Sequence, residues 1–367
     1  MSQHNLFPKT LTDDYFDAAW KRFSAFLQGE VADRPPVSFT FRKPQEQCPK
    51  REFDHKSYAN HRERWLDFSY RALDTDYNIS CTEYYSDAFP SMMPNLGPEI
   101  FSAMCGCPYE FGPDTTWSSA CITDWDADAD KGVFDRNSDA FRWVDEFTRE
   151  LLKYSRGKFA VGFTDFHAGA DHLAALRDPA ELCLDLLENP EYVKAKLETS
   201  YREFFKLYDY FYNMITLEGE ATSAWIPVIS PGKYNVTQND FSCMVSSEMF
   251  REFFYQGLID EAGQLDATVY HLDGPGALKH LDDILDVKRI NAVQWVPGAG
   301  NDGFDRWIDV YKRIQKAHKG IYLGVHVSEL DSVFANLKPD GVWFPYVAGV
   351  GTKDEADAVL KRVANWK

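Results

Sequence analysis

Residues 291–346 read NAVQWVPGAGNDGFDRWIDVYKRIQKAHKGIYLGVHVSELDSVFANLKPDGVWFPY. Three apolar runs, Asn291–Val296, Gly320–Val327 and Gly341–Tyr346, alternate with two amphipathic stretches, Phe304–His318 and Ser328–Leu337. Short apolar runs bounded by Gly and Pro read as buried strands; longer stretches with apolar residues at helical spacing read as helices. A strand, a helix and another strand in succession require a crossover, which makes the strands parallel neighbours under a layer of helices.

The same alternation extends towards the N-terminus. Further apolar runs stand at Val37–Phe41, Tyr77–Tyr85, Phe159–Phe166, Ser223–Ile229 and Thr268–Asp273. Helical spacing appears over Ala140–Ser155, Pro190–Met214, Ser246–Leu265 and Lys353–Trp366. Eight strands alternating with helices predict an α/β fold, a (β/α)8 TIM barrel, formed by residues 1–367 as one domain. Two stretches interrupt the rhythm. Residues 1–33 form an N-terminal helical extension, with the helix expected over about Asp13–Gln28. Residues 86–157 form a long insertion after the second strand, and long loops after barrel strands build or cover sites.

The chain has 367 residues, with 44% hydrophobic and 15% aromatic residues, ample for a large core. Its net charge of −18 disfavours nucleic acid and anionic membranes as partners. No basic start leads into an apolar run and no apolar window spans a bilayer, so neither a signal peptide nor a membrane helix is expected. Seven scattered cysteines fit reduced thiols and a cytoplasmic location. Cys105 and Cys107, without a second pair, read as small buried residues rather than a zinc ribbon. Pro297–Gly303 is a glycine-rich turn that lacks the Lys-Ser/Thr partner of a phosphate-binding loop.

A parallel barrel presents ligands at the carboxyl ends of its strands, so polar residues there are the candidates. Along TVYHLD, side chains alternate, and His271 and Asp273 share a face with Val269. A histidine and a carboxylate two residues apart suit metal ligation or acid–base work, or a mutual hydrogen bond. Asp165 and His167 repeat the pattern after the third run. His326 ends the seventh, where it reads equally as a site residue or as the cap of the next helix. Glu83 and Tyr85 end the second run, with Glu83 either a ligand or a partner of Arg42. Arg42, at the end of the first run, is suited to a substrate carboxylate. Trp225, Trp295 and Tyr346 are candidate pocket walls, although aromatics more often serve the core.

Three stretches, FAVGFTDFHAGADHLAALRDPAELCLDLLENPEYVKAKLE (159–198), SSEMFREFFYQGLIDEA (246–262) and YHLDGPGALKHLDDIL (270–285), carry a family resemblance. The sequence resembles the superfamily of uroporphyrinogen decarboxylase and the cobamide-dependent methyltransferases. That resemblance implies the same barrel, a small-molecule substrate, a divalent metal such as zinc, a corrinoid carried by a partner protein, and a homodimer. The methyltransferases of the family hold zinc through H-x-C and a distant cysteine. Here His271 matches the histidine, Asp273 stands at the cysteine position, and no cysteine follows Cys243. A harder nitrogen and oxygen site from His271, Asp273, Glu83 and His326 is the expectation. The decarboxylase's arginine-bearing motif is absent, with only Arg34 and Arg42 nearby. The leading expectation is a methyltransferase-like enzyme for a small polar substrate, with His271, Asp273 and Asp165 catalytic. A decarboxylase or other lyase of a small acid is the alternative, and a non-catalytic binding barrel the third.

Overall fold

The computed structural model describes residues 13–216, 222–230 and 232–367. The strands that organise it are β1 (Ser38–Arg42), β2 (Thr82–Ser86), β3 (Ser91–Met92), β4 (Ala160–Val161), β5 (Tyr234–Gln238), β6 (Ala267–Asp273), β7 (Ala292–Val296), β8 (Gly320–Tyr322) and β9 (Val342–Trp343). Five of them form one parallel sheet in the order β9-β8-β7-β6-β5. This is the crossover pattern expected from residues 291–346. β3 and β4 form a separate parallel pair, and Val37 bridges Phe344 in parallel beside β9.

Three strand expectations change. The second run divides: Tyr77–Ser80 finishes the helix Phe68–Ser80, while Thr82–Ser86 pairs antiparallel with β1. The parallel strand that follows is Ser91–Met92, so the excursion begins after Met92 rather than at residue 86. The fourth run, Ser223–Ile229, forms no strand. Its apolar residues Ala224, Ile226, Val228 and Ile229 are buried, but Pro227 lacks an N–H and the segment closes on itself through a Thr222–Ser230 bridge. The ladder position belongs to Tyr234–Gln238, whose polar Asn235 and Thr237 are buried. There Thr268 Oγ1 donates to the Asn235 carbonyl at 2.8 Å and lies 3.2 Å from Thr237 Oγ1.

The helices fall close to their expected bounds: Asp139–Ser155, Pro190–Ile215 and Lys353–Ala364. Ser246–Leu265 is interrupted, with a π-helical turn at Phe250–Phe254 before the α-helix Tyr255–Gln264. The N-terminal helix Asp13–Phe26 packs against the sheet, with Phe23 and Phe26 edge-on to the buried Trp343 at 5.1 and 5.4 Å. Residues 1–12 of the expected extension lie outside the described residues. Gly320 permits this close approach, since a Cβ there would sit 2.7 Å from the Phe26 carbonyl oxygen. Asp87, fully buried, accepts from Arg22 and Arg34 at 2.7 and 2.6 Å and from the Val37 N–H at 2.8 Å, tying helix to strand. No helix among the described residues is long and apolar enough to cross a membrane.

Candidate functional site

Three ligand-bearing side chains converge at the ends of β5 and β6. Oxygen or nitrogen atoms of Asp240, His271 and Asp273 all lie within 4.8 Å of one another. His271 and Asp273 share the face that strand alternation assigns them. Their relation is not a mutual hydrogen bond: His271 Nδ1 lies 2.6 Å from Gln294 Oε1 on the neighbouring β7. With Oε1 the acceptor, Nδ1 carries the proton and Nε2 keeps its lone pair, the arrangement that orients a ligating imidazole. Burial lowers the His271 pKa, favouring the neutral ring that a metal requires. The Trp225 ring stands edge-on to His271 at 5.1 Å.

Asp240 begins the 3-10 turn Asp240–Met244. Its Oδ1 is buried and has no hydrogen-bond partner among the described residues. Burial, reinforced by the charge of Asp171, pushes its pKa up to about 7. Asp171 sits in the first turn of the helix Gly169–Arg177 and accepts from the backbone N–H groups of Asp240 and Phe241 at 3.0 and 2.8 Å. Gln238 Nε2 donates to Asp171 at 3.1 Å and to Asp240 at 3.2 Å. Asp171 therefore fixes where the carboxylate of Asp240 stands.

Asp165 and His167 meet after β4, with Asp165 Oδ1 2.6 Å from His167 Nε2. Burial pulls the His167 pKa down, but Asp165 outweighs it and the net shift is upward. His167 Nδ1 is buried without a partner among the described residues. Glu261, on Tyr255–Gln264 and only 3% exposed, completes the buried polar set. Desolvation raises its pKa to about 7, partly offset by His167.

His167, Asp171, Gln238 and Asp240 line one side of a cavity of about 580 Å³, while His271, Asp273, Asp165 and Glu261 are not part of its lining. The insertion supplies the other side through Glu99, Ser102 and Ser118–Ala120. Ser102 Oγ lies 2.9 Å from His172 Nδ1, and burial keeps His172 neutral, its pKa drawn down to about 3. The volume is that of a small-molecule site. Among the described residues, its lining contains no Lys or Arg.

The remaining candidates separate. Glu83 pairs with Lys353 at 2.5 Å, not with Arg42, which lies 3.4 Å from Asn78 Oδ1. The Tyr85 hydroxyl donates to Asp357 at 2.5 Å. The β1–β2 ribbon thus uses its polar side chains against neighbouring helices, because antiparallel pairing turns it out of the parallel sheet. Arg34 serves Asp87. His326 is exposed and caps the turn Val327–Glu329 through Nδ1, with Glu329 returning to its backbone N–H at 2.8 Å. Trp295, Tyr346 and His326 line a second cavity of about 510 Å³ that also includes Gln294.

Asp240, Asp171, Gln238, Gln294 and Glu261 are absent from the sequence expectation. A faint signal exists for some. Gln294 is the polar residue inside AVQWV, and YNVTQND alternates before ending in acid and amide side chains.

No protein-family model matches the sequence, and no curated protein matches it. Among solved structures, the chain is similar to a methyltransferase from Methanosarcina mazei, with TM-score 0.53 and 13% identity over 94% of this chain and 97% of that one. At that identity the likeness establishes a shared α/β fold along nearly the whole length of both chains.

Proposed function

We propose that this chain is a methyltransferase-like (β/α)8-barrel enzyme that acts on a small polar substrate with a divalent cation held by Asp240, His271 and Asp273. Val37, β3, β4 and β5 to β9 make the eight barrel strands. The bridge from Val37 to Phe344, with the Ser38 N–H donating to the Phe344 carbonyl at 2.9 Å and the Phe344 N–H to the Pro36 carbonyl at 3.0 Å, supports closure between the first and last strands. The fold likeness and the three quoted sequence stretches support a place in the superfamily of uroporphyrinogen decarboxylase and cobamide-dependent methyltransferases.

One observation carries the reading: an imidazole and two carboxylates from two strand ends converge, and one of them, Asp240, also lines a cavity of about 580 Å³. The donor set fits a divalent cation. Asp240 Oδ1 lacks a partner among the described residues, His271 Nε2 keeps its lone pair by its tautomer, and Gln294 holds the ring. Asp273 in place of a thiolate makes the set harder than H-x-C, suiting zinc or another first-row ion with nitrogen and oxygen donors. A bound cation would supply Lewis-acid activation of a substrate heteroatom. His167, held by Asp165, carries a proton at the cavity wall, and Asp171 positions Asp240. A corrinoid macrocycle is larger than this cavity, so it would be presented from outside by a partner protein. The lyase alternative would have to use a different place, since Arg42 faces Asn78 and the described residues of these two linings include no Lys or Arg; lysines line only the smaller cavity of about 390 Å³ beside Lys43, Glu83 and Lys158.

Elemental analysis of purified protein tests the reading. About one equivalent of divalent metal is expected, lost in Asp240→Ala, His271→Ala and Asp273→Ala but retained in Glu83→Ala and His326→Ala. Metal retained in all three site variants would overturn it. Absorbance changes on adding methylcobalamin with candidate acceptors test the transfer itself. Silence across a broad panel, with metal bound, would leave a metal-binding barrel without this activity.

A further inference from the structure

The second cavity has a chemistry of its own. Its walls include Trp295, Trp307, Tyr311, Tyr322 and Tyr346. Trp295 and Trp307 meet edge to face, centroids 5.0 Å apart at 69°. Tyr346 is 54% exposed and closes over Gly324, where a Cβ would lie 2.1 Å from its Cζ. Among the described residues, no Lys or Arg lines the space. Glu329 is engaged by the N–H groups of Phe304 and His326, both at 2.8 Å, leaving the exposed Asp302 as the acidic group of the rim.

We propose that this cavity binds an N-methylated or quaternary ammonium group. Such a cation spreads its charge over methyl groups and donates no hydrogen bond, so it is held by aromatic faces rather than by carboxylates. Five aromatic side chains meet that need, and the carboxylate of Asp302 at the rim complements the positive charge. An anion would face a chain of net charge −18 with no Lys or Arg among the described residues of the lining. Gln294 belongs to this lining and bonds His271 at 2.6 Å, so the ligand lies one residue from the proposed metal site. Calling the ligand the substrate rests on the methyltransferase reading; its binding does not. Arg306, outside the lining, lies 5.3 Å from the Trp307 centroid, which makes Tyr346 the sharper test.

Calorimetry on the purified protein with choline and with its uncharged isostere 3,3-dimethylbutan-1-ol decides the matter. Choline should bind saturably and at least about tenfold tighter than the isostere. Tyr346→Leu, at an exposed position, should weaken it about fivefold or more, and Gly324→Val, which displaces Tyr346, should do the same. Absent choline saturation, equal affinity for the isostere, or undiminished binding in both variants would overturn the proposal. Asp273→Asn should keep choline affinity within about twofold while losing metal. Choline binding by a protein that never holds metal would sustain this inference and sink the metal reading.

Discussion

Replacing Glu261 by Gln tests whether the polar set behind the cavity is as dry as its geometry implies. Glu261 is 3% exposed, and desolvation raises its pKa from an ordinary 4.5 to about 7, with His167 opposing and Asp171 adding. The folded protein therefore holds this proton over a pH range in which the unfolded chain releases it. By linkage, its stabilising contribution is fully present below about pH 4.5 and is lost as pH rises through about 7. At about 1.4 kcal/mol per pH unit, the gap is worth about 3 kcal/mol, an upper figure because His167 compensates part of the charge. Glutamine keeps the shape and removes the titration. In urea melts with chelator present, the stability of Glu261→Gln relative to the parent should improve by about 2–3 kcal/mol between about pH 5 and about pH 8.5. A relative stability that stays constant across that range would refute the burial argument, and with it the picture of a desolvated wall behind His167.

Asp87→Ala should cost about 3–5 kcal/mol in denaturant unfolding, because it strands Arg22 and Arg34 around a fully buried position. Glu83→Ala, which breaks a solvent-exposed pair with Lys353, should cost less than about 1 kcal/mol in the same assay. Asp165→Asn removes the largest influence holding the His167 pKa above its usual value, leaving burial opposed only by the smaller effects of Asp171 and Glu261. Selective 13C labelling of the nine histidines should then show the His167 titration moving to lower pH while His172 stays neutral. Cys121, drawn down to about 7 by its hydrogen bond from Cys107, should be alkylated faster near neutral pH than the more exposed Cys243, whose pKa burial raises. Replacing Cys107 by Ala should slow that labelling, followed by peptide mass analysis.

Periodicity alone determined the parallel α/β plan. Strands over Asn291–Val296 and Thr268–Asp273, and helices over Pro190–Ile215 and Lys353–Ala364, follow from apolar spacing that solvent exclusion enforces locally. Alternation along β6 likewise sets His271 and Asp273 on one face, and proximity in sequence brings Asp165 to His167. Tertiary structure decided the rest. Tyr234–Gln238 escapes an apolar scan because Asn235 and Thr237 are buried through bonds to the next strand, a compensation that exists only after pairing. Ser223–Ile229 scans as a strand because burial, not ladder pairing, selects its apolar residues. Asp240 joins His271 and Asp273 only because β5 lies beside β6 and Asp171 holds the turn after it. Glu83 and His326 look equally suitable in sequence, yet one is drawn to Lys353 and the other to its own helix end. A residue type and a local spacing state what chemistry a side chain is capable of; which groups share a cavity depends on contacts between segments distant in sequence.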